Sequence, residues 1–173
     1  LLMQLKKYLF KSVTSTNDIA IKKIKQDIPF GIVIAKKQTK GRGRYGNRWI
    51  CMKNNLFMSV FFKLKKNIDS KTLTSISCKI TKTSLLKFLN KNITIKKPND
   101  LLIDKKKLCG ILQETLFYKN NKFAIIGIGI NIDRSPAIDN YPTTYLNFFV
   151  KKKLTSIKIC NEIKRNFEEY LKN

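Results

Sequence analysis

Arg42, Arg44 and Arg48 fall within seven residues and alternate with Gly41, Gly43 and Gly46 in Gln38–Trp49, which reads Q-T-K-G-R-G-R-Y-G-N-R-W. Glycine accepts positive φ, so such a loop can turn several backbone N–H groups toward one anion. Guanidinium forks add two-point contacts suited to carboxylate or phosphate. The segment is expected to be mobile when empty and to close over a bound anion. An ordinary basic turn, or an arginine-glycine loop that contacts RNA, fits the segment equally well when it is taken alone.

Three other segments carry candidate chemistry. K-K-P-N-D at Lys96–Asp100 is followed by K-L-C-G-I-L at Lys107–Leu112. Pro98 sets a sharp strand exit and pushes Lys97 toward extended geometry, so Asn99 and Asp100 project where a strand ends. Lys107 re-enters the sheet on rigid backbone, and Gly110 leaves room for a ligand to approach. I-G-I-G-I-N-I at Ile126–Ile132 interleaves glycine with isoleucine. One face is therefore bare enough for a flat ligand, and Asn131 ends it with an amide that can reach phosphate or ribose. The G-x-G pair lacks the third glycine and the downstream acid of a dinucleotide-binding turn, and a β-bulge or close sheet packing would use it equally. Ser15-Thr16-Asn17 stands at a helix start, where it can cap the helix or bond a small polar ligand head.

Composition narrows the chemistry further. No histidine is present among the 173 residues, which excludes Ser-His-Asp and Cys-His nucleophiles and removes the commonest transition-metal ligand. Catalysis must then run on Lys, Arg, Asp, Asn, backbone amides and bound Mg²⁺. Cys51, Cys78, Cys109 and Cys160 are dispersed without a C-x-x-C pair, against a zinc knuckle or a disulfide framework. The formal net charge is +25, but lysine accounts for nearly all of the basic residues beside only five arginines. With Asn and Ile also abundant, the charge reads as A/T-rich coding more than as a nucleic-acid footprint. No apolar run reaches the roughly 18–20 residues a membrane helix needs, and no signal pattern opens the chain, so a cytoplasmic protein is expected.

The elements that must position these residues read as α+β. A helix is expected over Ser12–Gln26, strands over Gly31–Gln38 and Leu56–Leu64, and a long helix over Lys71–Leu89. Strands Ile93–Lys96 and Leu101–Ile103 follow, then a turn at Asp104–Lys106. Leu108–Tyr118 and Lys122–Ile132 read as a hairpin across Asn120–Asn121. Cys160, Ile163, Phe167 and Tyr170 recur at helical spacing near the end. The expected architecture is a mixed, mostly antiparallel sheet with helices packed on it.

In order, S-T-N, Q-x-x-G-R-G-R-x-G-x-x-W, K-x-P-N-D, K-L-x-G-I-L and G-I-G-I-N resemble the catalytic domain of the biotin–protein ligases from Ser15 to about Ile132. The arginine-glycine loop and K-L-x-G-I-L are specific to that family, whereas S-T-N and G-x-G are not. The resemblance implies the biotin–lipoyl ligase fold, akin to class II aminoacyl-tRNA synthetases. It implies activation of biotin by ATP with Mg²⁺ held mainly by the nucleotide, then transfer to a lysine of a biotin carboxyl carrier domain. It assigns Lys107 and Arg44 to catalysis, and Ser15, Thr16, Asn17, Gln38, Arg42, Gly43, Arg44, Lys107 and Gly110 to biotin. It assigns Arg42, Arg44, Trp49, Asn99 and Asn131 to the nucleotide, with Asp100 placed to orient the acceptor amine.

Three departures accompany the resemblance. Lys97 stands where the family has tryptophan in K-W-P-N-D. The expected organisation is one catalytic domain over residues 1–173, without the winged DNA-binding domain of ligase-repressors and without a C-terminal β-barrel. A monomer or homodimer that binds neither specific DNA nor a membrane is expected. A lipoate or octanoyl ligase would show an R-R-x-S-G-G-G loop and a histidine, and an RNA binder would show exposed aromatics or a recognised module; none of these is expected here.

Overall fold

The structure, a computed structural model, describes residues 4–65 and 68–172. Seven strands form one sheet in the order β1-β2-β3-β7-β6-β5-β4. These are β1 (Lys7–Phe10), β2 (Phe30–Ala35), β3 (Leu56–Lys63), β4 (Thr94–Lys96), β5 (Asp100–Ile103), β6 (Lys106–Tyr118) and β7 (Asn121–Ile130). Among the described strands, β1 and β2 run parallel and every other neighbouring pair is antiparallel. Central β3, L-F-M-S-V-F-F-K, is buried through its first seven residues because helices cover both faces of the sheet.

Helix α1 (Thr16–Lys25) lies on one face, where Ala20 and Ile24 meet Val33, Phe61, Phe123 and Ile125. Helices α2 (Ser70–Leu86) and α3 (Ser156–Lys172) cover the other. There Leu73, Leu85, Ile163 and Phe167 pack on Met58, Val60, Ile126 and Ile128. Asp69 caps α2 by accepting from Thr72 N. Three thiols are buried in this double core, and desolvation raises Cys78 and Cys160 to about 11, so they remain protonated filler.

The mixed, mostly antiparallel sheet agrees with the reading of the sequence, while several ends shift. α1 begins at Thr16 rather than at residue 12, because residues 12–15 run beside Gln38 through a Val13–Gln38 bridge. β2 accordingly stops at Ala35. The β6–β7 turn is Lys119–Asn120, both at positive φ, one residue earlier than expected; Tyr118 pairs with Asn121 across it. β1 escaped notice altogether: it is a four-residue edge strand beginning at a lysine.

Candidate active site

One cross-strand row builds the floor of a cleft on the α1 face of the sheet. Phe57 of β3 pairs with Gly129 of β7, Gly129 with Gly110 of β6, and Gly110 with Asp100 of β5. The two adjacent glycines leave a flat patch between an aromatic ring and a carboxylate. Alternation along β6 would send Lys107 to the opposite face from Gly110. A bulge prevents this: Leu101 pairs with Cys109 and Leu102 with Lys107, so Leu108 is an extra residue. The slip returns Lys107 to the cleft face, its Cε within 3.3 Å of where a Gly110 Cβ would sit.

The neighbouring row, Ser59–Gly127–Leu112, supports the start of α1. Ser15 is the helix cap, its Oγ accepting from Asn17 N at 3.2 Å. Thr16 N donates to Gln38 Oε1 at 2.8 Å, with Thr16 Oγ1 3.1 Å from the same oxygen. Buried Ser59 Oγ lies 2.5 Å from Asn17 Oδ1 and 2.7 Å from Thr16 Oγ1. Its one proton serves Asn17, which leaves the Thr16 hydroxyl to donate. Asn17 Nδ2 donates to Glu114 Oε2 at 2.6 Å. These polar groups therefore satisfy one another at one end of the cleft.

The arginine-glycine segment is a small hairpin. Arg42 bridges Arg48, Gly43 N donates to Asn47 O at 2.7 Å and Trp49 N to Gly41 O at 3.0 Å, with a 3-10 turn at Arg44–Gly46. At its tip Tyr45 takes φ 55°, a left-handed conformation unusual for a tyrosine, followed by Gly46 at φ 77°. Arg42 reaches back to Asp18 Oδ1 at 2.6 Å and Glu114 Oε2 at 3.0 Å. Burial opposes its charge, but those two carboxylates outweigh that and raise its pKa. Arg44 stacks on Tyr45, 4.8 Å from the ring centroid.

The hairpin delivers Trp49 onto the glycine patch. A Cβ on Gly110 would lie 2.7 Å from Trp49 Cζ3, and one on Gly129 would overlap the indole. Its buried Nε1 finds no acceptor among the described residues. Asn17 covers Gly127 in the same way. The face expected to be bare for a ligand is thus partly occupied by the chain's own side chains.

Lys107 Nζ stands 3.0 Å from Asp100 Oδ1, 5.4 Å from the Trp49 ring and 5.2 Å from that of Tyr141. Asn99 folds inward, its Nδ2 donating to Ile111 O at 2.7 Å. The Lys97–Pro98 peptide is cis, and Lys97 is exposed outside the cleft lining. The cleft encloses about 230 Å³ and is lined by every predicted site residue except Asn131.

Asn131 departs from expectation. It is 2% exposed and donates to Thr144 O at 3.1 Å. Its Oδ1 is 3.4 Å from Nδ2 of Asn55, whose own Oδ1 takes backbone N–H bonds from Ile132 and Asp133. Past the last rung of β7 the amide turns inward to tie loops, so it lines no part of the cleft. Sequence reasoning also missed Asp18, Glu114, Ser59 and Tyr141, which hold the predicted residues in place. Ser59 carried a faint signal as the polar residue within the otherwise apolar run of residues 56–62; Tyr141 carried none.

Comparison with known proteins agrees with this geometry. The profile of the Biotin/lipoate A/B protein ligase family matches residues 9–131, and the chain belongs to that family. It is 33% identical over 124 residues to the bifunctional ligase/repressor BirA of Escherichia coli (strain K12), covering 69% of this chain and 38% of that protein. It is 31% identical over 147 residues to biotin–protein ligase 2 of Arabidopsis thaliana, covering 80% and 43%. The chain thus spans about two fifths of the length of these curated relatives. Among solved structures, the biotin protein ligase of Leishmania major in complex with biotin superposes with a TM-score of 0.83 at 25% identity, covering 95% of this chain and 73% of that one. The biotin protein ligase of Aquifex aeolicus in complex with biotin and ATP gives 0.81 at 25%, covering 96% and 70%.

Proposed function

We propose that this chain activates biotin with ATP and passes the biotinyl group to a lysine of a biotin carboxyl carrier domain. The observation that carries this is the convergence of Lys107, Asp100 and the arginine hairpin on one glycine-floored cleft. Likeness to relatives named as biotin–protein ligases supports biotin as the substrate over lipoate.

In the first step a biotin carboxylate oxygen attacks the α-phosphorus of Mg-ATP, and the bond to pyrophosphate breaks. Both reactants are anions, and unit charges at ~4 Å repel by roughly 1 kcal/mol in water and several times more in a drier site. Lys107 and Arg44 offset this repulsion and strengthen as charge shifts toward the transition state. Ser15, Thr16, Asn17 and Gln38 border the biotin end; Trp49, with Gly110 beneath it, walls the ligand, and Asn99 borders the nucleotide. Arg42, Gly43 and Arg44 close over the mixed anhydride and keep water from it. In the second step a neutral lysine amine attacks the biotinyl carbonyl, the C–O bond to AMP breaks, and the ammonium so formed loses its proton. Asp100 orients that amine.

The test is incubation with biotin, Mg-ATP and a carboxylase carrier domain, read by the intact mass of the carrier, with lipoate and octanoate in parallel. Biotinylation of one lysine is expected. A carrier modified only in the lipoate or octanoate arm replaces this substrate with another of the family.

A further inference from the structure

Lys107 is fixed by a segment that lies beyond the stretch matched by the family profile, residues 9–131. After β7 the chain loops out and returns beside the start of β6. Lys107 N donates to Pro142 O at 2.8 Å, Thr144 N donates to Lys107 O at 2.9 Å, and Asn131 holds Thr144 O from the other side. This clamp carries Tyr141 over the cleft wall, where its hydroxyl donates to Asp100 Oδ2 at 2.6 Å. The two carboxylate oxygens therefore differ: Oδ2 accepts from the phenol, while Oδ1 takes no hydrogen bond among the described residues and faces the Lys107 ammonium at 3.0 Å as an ion pair. That ammonium also faces the Tyr141 ring at 5.2 Å, and Lys96 approaches the same ring at 4.3 Å with its Nζ 3.3 Å from Oη. A partly exposed ring between two ammonium groups is not core packing. Burial and the neighbouring Asp100 carboxylate both push the phenol pKa up, so the hydroxyl stays a donor.

Resting on the biotin-activating reading of the cleft, we propose that Tyr141 is a positioning residue for Lys107: its hydroxyl sets the rotation of the Asp100 carboxylate, and its ring and that carboxylate together fix the Lys107 amine against the glycine patch. A carboxylate held at one oxygen cannot turn about its terminal torsion, so the charge facing Lys107 has a fixed place. Without the hydroxyl the carboxylate rotates, and the amine samples positions away from the reacting phosphate. Misplacement of this kind reduces turnover more than binding.

Two measurements on the full chain test the proposal. Lys107 acylation by trace acetic anhydride is read by peptide mass spectrometry against exposed Lys71, in the native protein and in Tyr141→Phe, with and without Asp100→Asn. Tyr141→Phe keeps the ring and is expected to speed Lys107 labelling at least threefold, and to do so only where Asp100 is intact. Biotin-dependent ATP–pyrophosphate exchange is then expected to lose about tenfold in kcat with KM for biotin changed less than twofold. Tyr141→Leu, which also removes the ring, is expected to lose more. Unchanged labelling, a rise equal in both backgrounds, or a kcat equal to that of the native chain overturns the proposal. Should the native chain show no exchange, the biotin reading fails by itself and labelling alone decides the role of Tyr141; should Tyr141→Phe not fold, the same labelling on Asp100→Asn alone must show the threefold rise, or the proposal falls.

Discussion

Lys107 and Arg44 are both cations of the cleft, yet they stand on different supports. Lys107 rises from a strand, wedged between Asp100 and two aromatic rings, whereas Arg44 sits at the tip of a hairpin with its guanidinium against Tyr45. Their removal should therefore fail in different ways. Lys107→Ala is expected to cut biotin-dependent pyrophosphate exchange at least 100-fold, the scale of one preorganised group lost from a charge-stabilising site. Exchange within threefold of native would remove Lys107 from the first step. Arg44→Gly should leave adenylate formation measurable but weaken the seal above the anhydride, so that bystander proteins become biotinylated. Labelling confined to the carrier would count against that seal.

At the scale of elements, the β6 bulge and the clamp around Asn131 decide which side chains the sheet presents. Asn131→Ala is expected to cost about 2 kcal/mol in denaturant unfolding, because it strands buried partners in two loops. Its KM for ATP should stay within threefold of native, since the side chain is outside the cleft; a tenfold rise at unchanged stability would return Asn131 to the nucleotide. These features also explain what the sequence made legible. The α1 cap, the α2 and α3 periodicities and the β6–β7 hairpin rest on local patterns, so these elements could be read directly, their ends only to within a few residues. Glycines at 110, 127 and 129 marked a bare strip without telling that Trp49 and Asn17 lie on it. The bulge was hidden because Leu108 and Cys109 are both buried, so no break in apolar alternation betrays the extra residue. Tyr141, Ser59 and Glu114 reach the site through non-local pairings, which spacing along the chain does not encode.

For the whole molecule, two covered sheet faces mean that stability and the site depend on one another through the strands they share. Biotin plus Mg-ATP is expected to raise the melting temperature, while RNA should not, since ligand affinity for the folded state alone adds to stability. Contrary to the expectation of no exposed aromatics, Tyr45, Phe117 and Phe148 are exposed, so a rise with RNA only would favour a nucleic-acid binder. At the far rim, Asp133 gathers Asn54, Lys153 and Asn147, and these hydrogen bonds hold its carboxyl at about 2. A depressed carboxylate pKa contributes stability that is complete above about pH 4 and disappears as pH falls toward 2. Asp133→Asn should lower unfolding free energy by about 1 kcal/mol at pH 7, with the gap closing near pH 2. A gap of the same size at both pH values would rule out titration of this group as the cause. Among the described residues no helix is long and apolar enough to cross a membrane.

Trp49 is the chain's single tryptophan, and it rests on the patch where substrate is proposed to lie. Any light emitted by an indole in this protein therefore comes from the cleft itself. Excitation at the red edge of the absorbance band, where tyrosine is dark, isolates that emission without labels or engineering. Titrating biotin, then Mg-ATP, should shift its wavelength or intensity in two saturable stages, reporting each occupant as it arrives; a spectrum indifferent to both would place the ligands elsewhere.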